Sequence, residues 1–134
     1  MVHYVTILGQ LKGLNELLAG RVFKPGNKAN GFKGRYVNAV KQNNDRQCIF
    51  YIREQLKGVK IEKPIAIHYD IYAQDKRHDR MNIASATDKS FQDALQLCGI
   101  IKNDGWDDVI DITFNFYLDR ENPRTEITIT EKEI

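Results

Sequence analysis

Four absences narrow this sequence before any motif is read. No apolar run approaches the roughly 20 residues that a membrane-spanning helix needs. The opening Met1-Val2-His3-Tyr4 lacks the basic stretch and long apolar block of a secretory leader, so a cytoplasmic protein without a membrane partner is expected. Only two cysteines occur, Cys48 and Cys98, each in an apolar context with no second Cys or His at metal-ligand spacing. Buried free thiols are expected there, and a zinc site is not. Internal repeats and low-complexity segments are missing too.

What is present suits one domain over residues 1–134, with a hydrophobic content of 42% to fill a single core. Net charge is only +2, but it is unevenly spread. Residues 12–60 hold eleven Lys/Arg against three acids, and residues 61–134 hold nine against fifteen, so the two stretches sit near +8 and −6. Either a basic face meets a polyanion beside an acidic cluster, or the basic surface is merely solvated.

Along the chain, Tyr4 to Leu8 reads as a short strand and Leu14 to Ala19 as a turn or two of helix. Gly20 to Arg35, rich in Gly and Lys, reads as a long basic loop. Val37, Val40, Cys48, Ile52 and Leu56 fall near helical spacing, which predicts a helix over 36–57 that stops at Gly58. The polar run Gln42-Asn43-Asn44-Asp45 interrupts its middle. A strand follows from Pro64 to Tyr72, then a charged loop through Arg80. The apolar stripe of Ile83, Ala86, Phe91, Ala94, Leu95 and Cys98 predicts a helix over 82–98, capped by Asn82 and ended by Gly99. Ile110 to Leu118 alternates as a strand. After the loop Asp119 to Pro123 comes a last strand around Ile127 and Ile129, and the two are expected to form an antiparallel hairpin with one wet face. The fold expected is α+β: a single domain with a mixed sheet of about four strands packed against two main helices.

Three acids fall where chemistry is often carried. Asp79 lies between a strand and a helix, Asp88 on that helix beside Lys89, and Asp104 in the turn beyond it. Carboxylates at such places suit Mg²⁺, which takes one or two of them and completes its octahedron with water and phosphate oxygens. Each also has an ordinary reading: Asp79 balancing Arg77 and Arg80, Asp104 as a turn residue before Gly105, and Asp88 and Lys89 as solvated helix positions.

The run His78-Asp79-Arg80-Met81-Asn82, then Asp88-Lys89-Ser90-Phe91-Gln92-Asp93-Ala94-Leu95, then Gly99-Ile100-Ile101-Lys102-Asn103-Asp104-Gly105-Trp106 resembles the signature of RusA-type Holliday junction resolvases, in their phage and prophage branch. The likeness covers about 30 residues closely, with five separated elements in order. It implies a bacterial, phage- or prophage-encoded homodimer that cleaves branched DNA with Mg²⁺, for which Mn²⁺ can substitute. Carried over by position, Asp79 and Asp104 match metal ligands and Lys89 the catalytic lysine. One departure stands out: Met81 occupies the place of a second metal-binding Asp, and a thioether is a poor ligand for Mg²⁺. Three explanations compete: Asp88 or Asp75 stands in for it, the site works with fewer ligands, or the protein binds junctions without cutting them well. Lys24, Lys28, Lys33 and Arg35 on the basic loop, with Lys76, Arg77 and Arg80 near the site, are the candidate DNA contacts. Trp106 is expected to anchor its turn in the core, or else to stack on DNA.

Overall fold

The computed structural model describes residues 1–13 and 30–133, with side chains for 1–13 and 39–133. Six elements follow in order: β1 (Val2–Leu8), α1 (Asn30–Gln55), β2 (Ile65–Ala73), α2 (Arg80–Leu97), β3 (Val109–Leu118) and β4 (Arg124–Glu131). They form an α+β domain with one four-stranded mixed sheet, in the order β1-β4-β2-β3.

Strand alternation decides which face is covered. Val5, Ile7, Ile65, Ile67, Tyr69, Ile71, Ile127 and Ile129 are all buried, and they share one core with Cys48 and Ile52 of α1 and Phe91 and Leu95 of α2. Both helices therefore lie on the same side of the sheet. The β2–α2–β3 unit is a parallel crossover: Ile65 to Ala73 run alongside Val109 to Leu118, with a bulge near the start.

The expected hairpin between β3 and β4 does not form. β4 pairs antiparallel with β1 on one side and with β2 on the other, while β3 takes the far edge. The two strands differ in burial, and that difference explains the outcome. Ile127 and Ile129 of β4 are at most 1% exposed, whereas Ile110 and Leu118 of β3 are 50% and 45% exposed. The strand richer in buried positions takes the centre. Asp119 to Pro123 is long enough to step across the end of β2. Arg124 fastens that step, with Nη1 donating to Asp119 Oδ2 at 2.9 Å and Nε to Glu126 Oε2 at 2.7 Å, and its guanidinium lying 3.8 Å from the Tyr72 ring centroid.

Helix limits also differ from the sequence reading. α1 begins at Asn30, so Lys33 and Arg35 lie on a helix and not on a loop; Gly31 and Gly34 hide its periodicity. The polar run does not interrupt it. Asn44 is fully buried because its amide serves another segment: Oδ1 accepts from Lys12 N–H at 3.0 Å and Nδ2 donates to Lys12 O at 2.9 Å. The N-cap of α2 is Asp79, three residues before the expected Asn82; its backbone is extended and its side chain accepts from the Met81 amide. The other end is as expected. Gly99 takes φ +72, with Ile100 N–H bonded to Leu95 O and Gly99 N–H to Gln96 O. Leu14 to Ala19 and most of the expected basic loop lie outside the described residues.

Candidate functional site

The loop from β2 to α2 and the C-terminal end of β3 enclose a cleft of about 450 Å³, lined by Asp75, Lys76, His78, Asp79 and Arg80 on one side and Phe116, Tyr117 and Leu118 on the other. β2 delivers the chain to one end of the sheet at Ala73, and α2 takes it away from Asp79. The intervening residues hold two carboxylates in defined turns. Asp79 Oδ1 accepts from Met81 N–H at 3.2 Å, which fixes the side chain at a helix N-terminus, where partial positive charge favours an anion. Asp75 Oδ1 accepts from Arg77 N–H at 3.0 Å, and its Oδ2 lies 3.6 Å from Arg77 Nε. Lys76, Arg77, His78, Asp79 and Arg80 are all exposed.

Other expected members of the site lie elsewhere. Asp88 is nine residues beyond Asp79, about 14 Å along a helix axis. It accepts from Tyr69 O–H at 2.6 Å and from Gln92 Nε2 at 2.8 Å. Burial, followed by the neighbouring Asp88, raises the Tyr69 hydroxyl well above its ordinary pKa, so it remains a donor. Asp88 is thus committed to the underside of α2 and does not compensate for Met81. Met81 itself is 56% exposed.

Lys89 is about 15 Å along the axis from Asp79, and its Nζ donates to Asp93 Oδ1 at 3.0 Å. Asp93 also accepts from Lys41 of α1 at 3.2 Å, and Lys41 in turn reaches Asp45 at 2.9 Å. Burial alone would lower the Lys41 pKa, but the bonds to Asp45 and Asp93 outweigh it and raise it. This charged group joins the two helices, and Lys89 belongs to it.

Asp104 stands at the opposite end of the molecule from Asp79. The turn that carries it meets the start of β2, where Ile65 N–H donates to Asp108 O at 2.9 Å, whereas the cleft opens beyond Ala73, whose carbonyl accepts from Asp119 N–H at 2.8 Å. Between them lies the length of α2, 18 residues or about 27 Å. One chain therefore does not bring Asp79 and Asp104 to a common ion. Among the described residues, no group of three or more His, Cys, Asp or Glu is placed to hold a metal. Asp75 and Asp79 both line the cleft, and carboxylates are the hard oxygen donors that Mg²⁺ takes in ones or twos.

Of the candidate DNA contacts, Lys76 and Arg80 line the cleft, and Arg77 lies beside it on the outer face of the same loop, with Arg120. Lys33 and Arg35 lie on α1, and their side chains, like Lys24 and Lys28 altogether, fall outside the described residues. Trp106 does not anchor its turn: it is 96% exposed. The apolar wall of Phe116 and Leu118 had no signal in the sequence beyond strand alternation. The thiols behave as expected for Cys48, which is buried and pushed up to about 12 by that burial; Cys98 is half-buried. No described helix is long and apolar enough to cross a membrane.

Fold and site together define a small α+β domain whose sheet ends in a cleft where two carboxylates stand among cations. No protein-family model matches the chain, and no curated protein matches it either.

Proposed function

We propose that the chain is a Mg²⁺-dependent endonuclease of branched DNA that works as a homodimer, with its chemistry centred on the cleft at the start of α2. The observation that carries this reading is the meeting of Asp75 and Asp79 in one cleft with Lys76 and Arg80. Carboxylates alone repel phosphate; cations beside them offset that repulsion and leave a place where a cation and a phosphodiester fit together. Asp79 and Asp75 would hold the ion. When bound, Mg²⁺ supplies Lewis acidity and an activated water for phosphodiester hydrolysis. Lys76 and Arg80 would bind the flanking phosphates, and the N-terminus of α2 adds favourable potential for them.

The distance of Asp104 from this cleft gives the dimer a specific purpose. In a two-fold pair with antiparallel α2 helices, the Asp104 end of each chain faces the Asp79 end of the other. Each site would then draw ligands from both chains, which also offsets the loss of a carboxylate at Met81. A four-way junction, itself nearly two-fold, suits two such sites.

Junction cleavage with Mg²⁺ or Mn²⁺ tests this. Paired symmetric nicks are expected, lost in Asp79→Asn and in Asp104→Asn while junction binding survives. Mixing the two variants separates the geometries. A mixed dimer with shared sites rebuilds one intact site and nicks one strand; a mixed dimer with self-contained sites nicks nothing. Undiminished cleavage by Asp79→Asn would remove the site assignment. A second reading, a junction-binding protein without catalysis, is favoured by Met81 standing where the signature carries Asp; binding without nicks in either metal would establish it.

A further inference from the structure

β3 breaks the usual rules for a strand at the edge of a sheet. Exposed edges in monomers are shortened, charged, interrupted by proline or covered, since an open row of N–H and C=O groups pairs with any available strand. β3 is the longest strand of the sheet at ten residues, VIDITFNFYL, and Asp111 is its only charge. Ile110, Ile112, Tyr117 and Leu118 are each between 38% and 50% exposed, and the turn that leads into the strand presents Trp106 at 96%. Among the described residues nothing covers it.

We infer that β3 pairs antiparallel with β3 of a second copy of this chain, joining two sheets into one of eight strands. Antiparallel neighbours directly opposite each other share a face, and a two-fold axis keeps each side chain on its own face. The pairing must therefore centre on a residue that faces itself. Centring on Phe114 sets Ile112 against the half-buried Phe116 of the second copy and Leu118 against Ile110, so apolar groups of one face meet one another, while Tyr117 on the other face stands opposite Asp111. A shift of one residue would set Leu118 against Asp108.

Charge selects the same partner. Asp104, Asp107, Asp108 and Asp111 cluster at the start of β3 with no ion pair among the described residues, and Lys76, Arg80 and Arg120 stand near its far end, also without one. Asp75, Asp79, Asp119 and Glu121 share that far end, but Asp75 and Asp119 are already paired with Arg77 and Arg124, and an antiparallel pair brings the four carboxylates of each copy toward the unpaired cations of the other, twice. Trp106 of one copy then lies beside the cleft walled by Phe116 and Leu118 of the other, the position of an interface anchor. The surface stands whether or not the nuclease reading does, and it supplies the antiparallel arrangement that reading requires.

Sedimentation velocity on the full chain at micromolar concentration tests it. The wild type should sediment as a dimer of about 31 kDa, twice 15.5 kDa. Ile112→Lys should sediment as a monomer with an unchanged circular dichroism spectrum, and Tyr4→Lys on the other edge should leave the dimer intact. Trp106 is the only tryptophan, so its emission should shift to the blue with rising concentration in the wild type and stay red in Ile112→Lys. A monomeric wild type would overturn the inference, as would a dimer that persists in both Ile112→Lys and Trp106→Ala. A β3 dimer that leaves junctions uncut would sink the nuclease reading alone.

Discussion

The two edges of this sheet are treated in opposite ways by the same chain. At β1, helix α1 turns two side-chain amides toward the edge. Gln55 Oε1 accepts from Thr6 N–H and its Nε2 donates to Thr6 O, both at 2.7 Å, so a glutamine imitates the next strand. Asn44, three helical turns earlier on the same side of α1, does the same for Lys12 just past the strand. At β3 no described residue plays that part, and the strand is left apolar. An unpaired ladder is a hazard that natural sequences usually suppress. When one edge is closed with a dedicated device and the other is left open, the open edge reads as an interface and the closed one as a barrier against further growth of the sheet.

Removing the closures should break that contrast. Asn44→Ala has the largest expected effect. It removes both side-chain bonds to the Lys12 backbone, which are part-buried, and leaves a small cavity at the fully buried Asn44 position, so stability should fall by about 1–2 kcal/mol, read as a lower urea midpoint at an unchanged slope. A midpoint equal to that of the wild type would mean that Asn44 does not secure the segment after β1. Gln55→Ala is milder, because its bonds are exposed: about 0.5–1 kcal/mol is expected. Its more telling consequence is assembly. With both edges open, dimers can add to one another, so species larger than a dimer should grow with concentration in light scattering. If Gln55→Ala stays strictly dimeric, the amide does not guard the edge.

The sequence showed the elements better than their arrangement. Strand alternation in β2 and the stripe of α2 are local patterns, and both elements appear where the periodicity puts them, within a few residues. The order of strands is not local. Five residues from Asp119 to Pro123 can close a hairpin or step over a strand, and only the competition for burial between β3 and β4 decides. Asn44 in a polar run looks like a helix interruption until its partner, Lys12, is known. The site was partly legible for the same reason. Asp79, Asp75 and the neighbouring cations are close in sequence and share a cleft. Asp104, Asp88 and Lys89 were joined to Asp79 by a family-like spacing that measures distance along the chain, and an 18-residue helix turns that spacing into separation in space.

The smallest expected effect concerns the step from β3 to β4, which keeps β3 at the edge and β4 at the centre. Asp119 holds that step closed. The Asn122 backbone N–H donates to its Oδ1, Arg124 donates to its Oδ2, and these contacts hold its carboxyl below the ordinary value of 3.8. A depressed folded-state pKa contributes stability that is present above the unfolded value and is lost as pH falls through the folded one. The group is exposed, so solvent screens the contribution and it should be small. In Asp119→Asn, stability at neutral pH should drop slightly, and the decline below about pH 4 should be shallower than in the wild type, with the two thermal-melting curves converging at the acid end. Parallel curves across that range would show that the loop holds its place without the carboxylate's charge, and that the central position of β4 rests on burial of Ile127 and Ile129 alone.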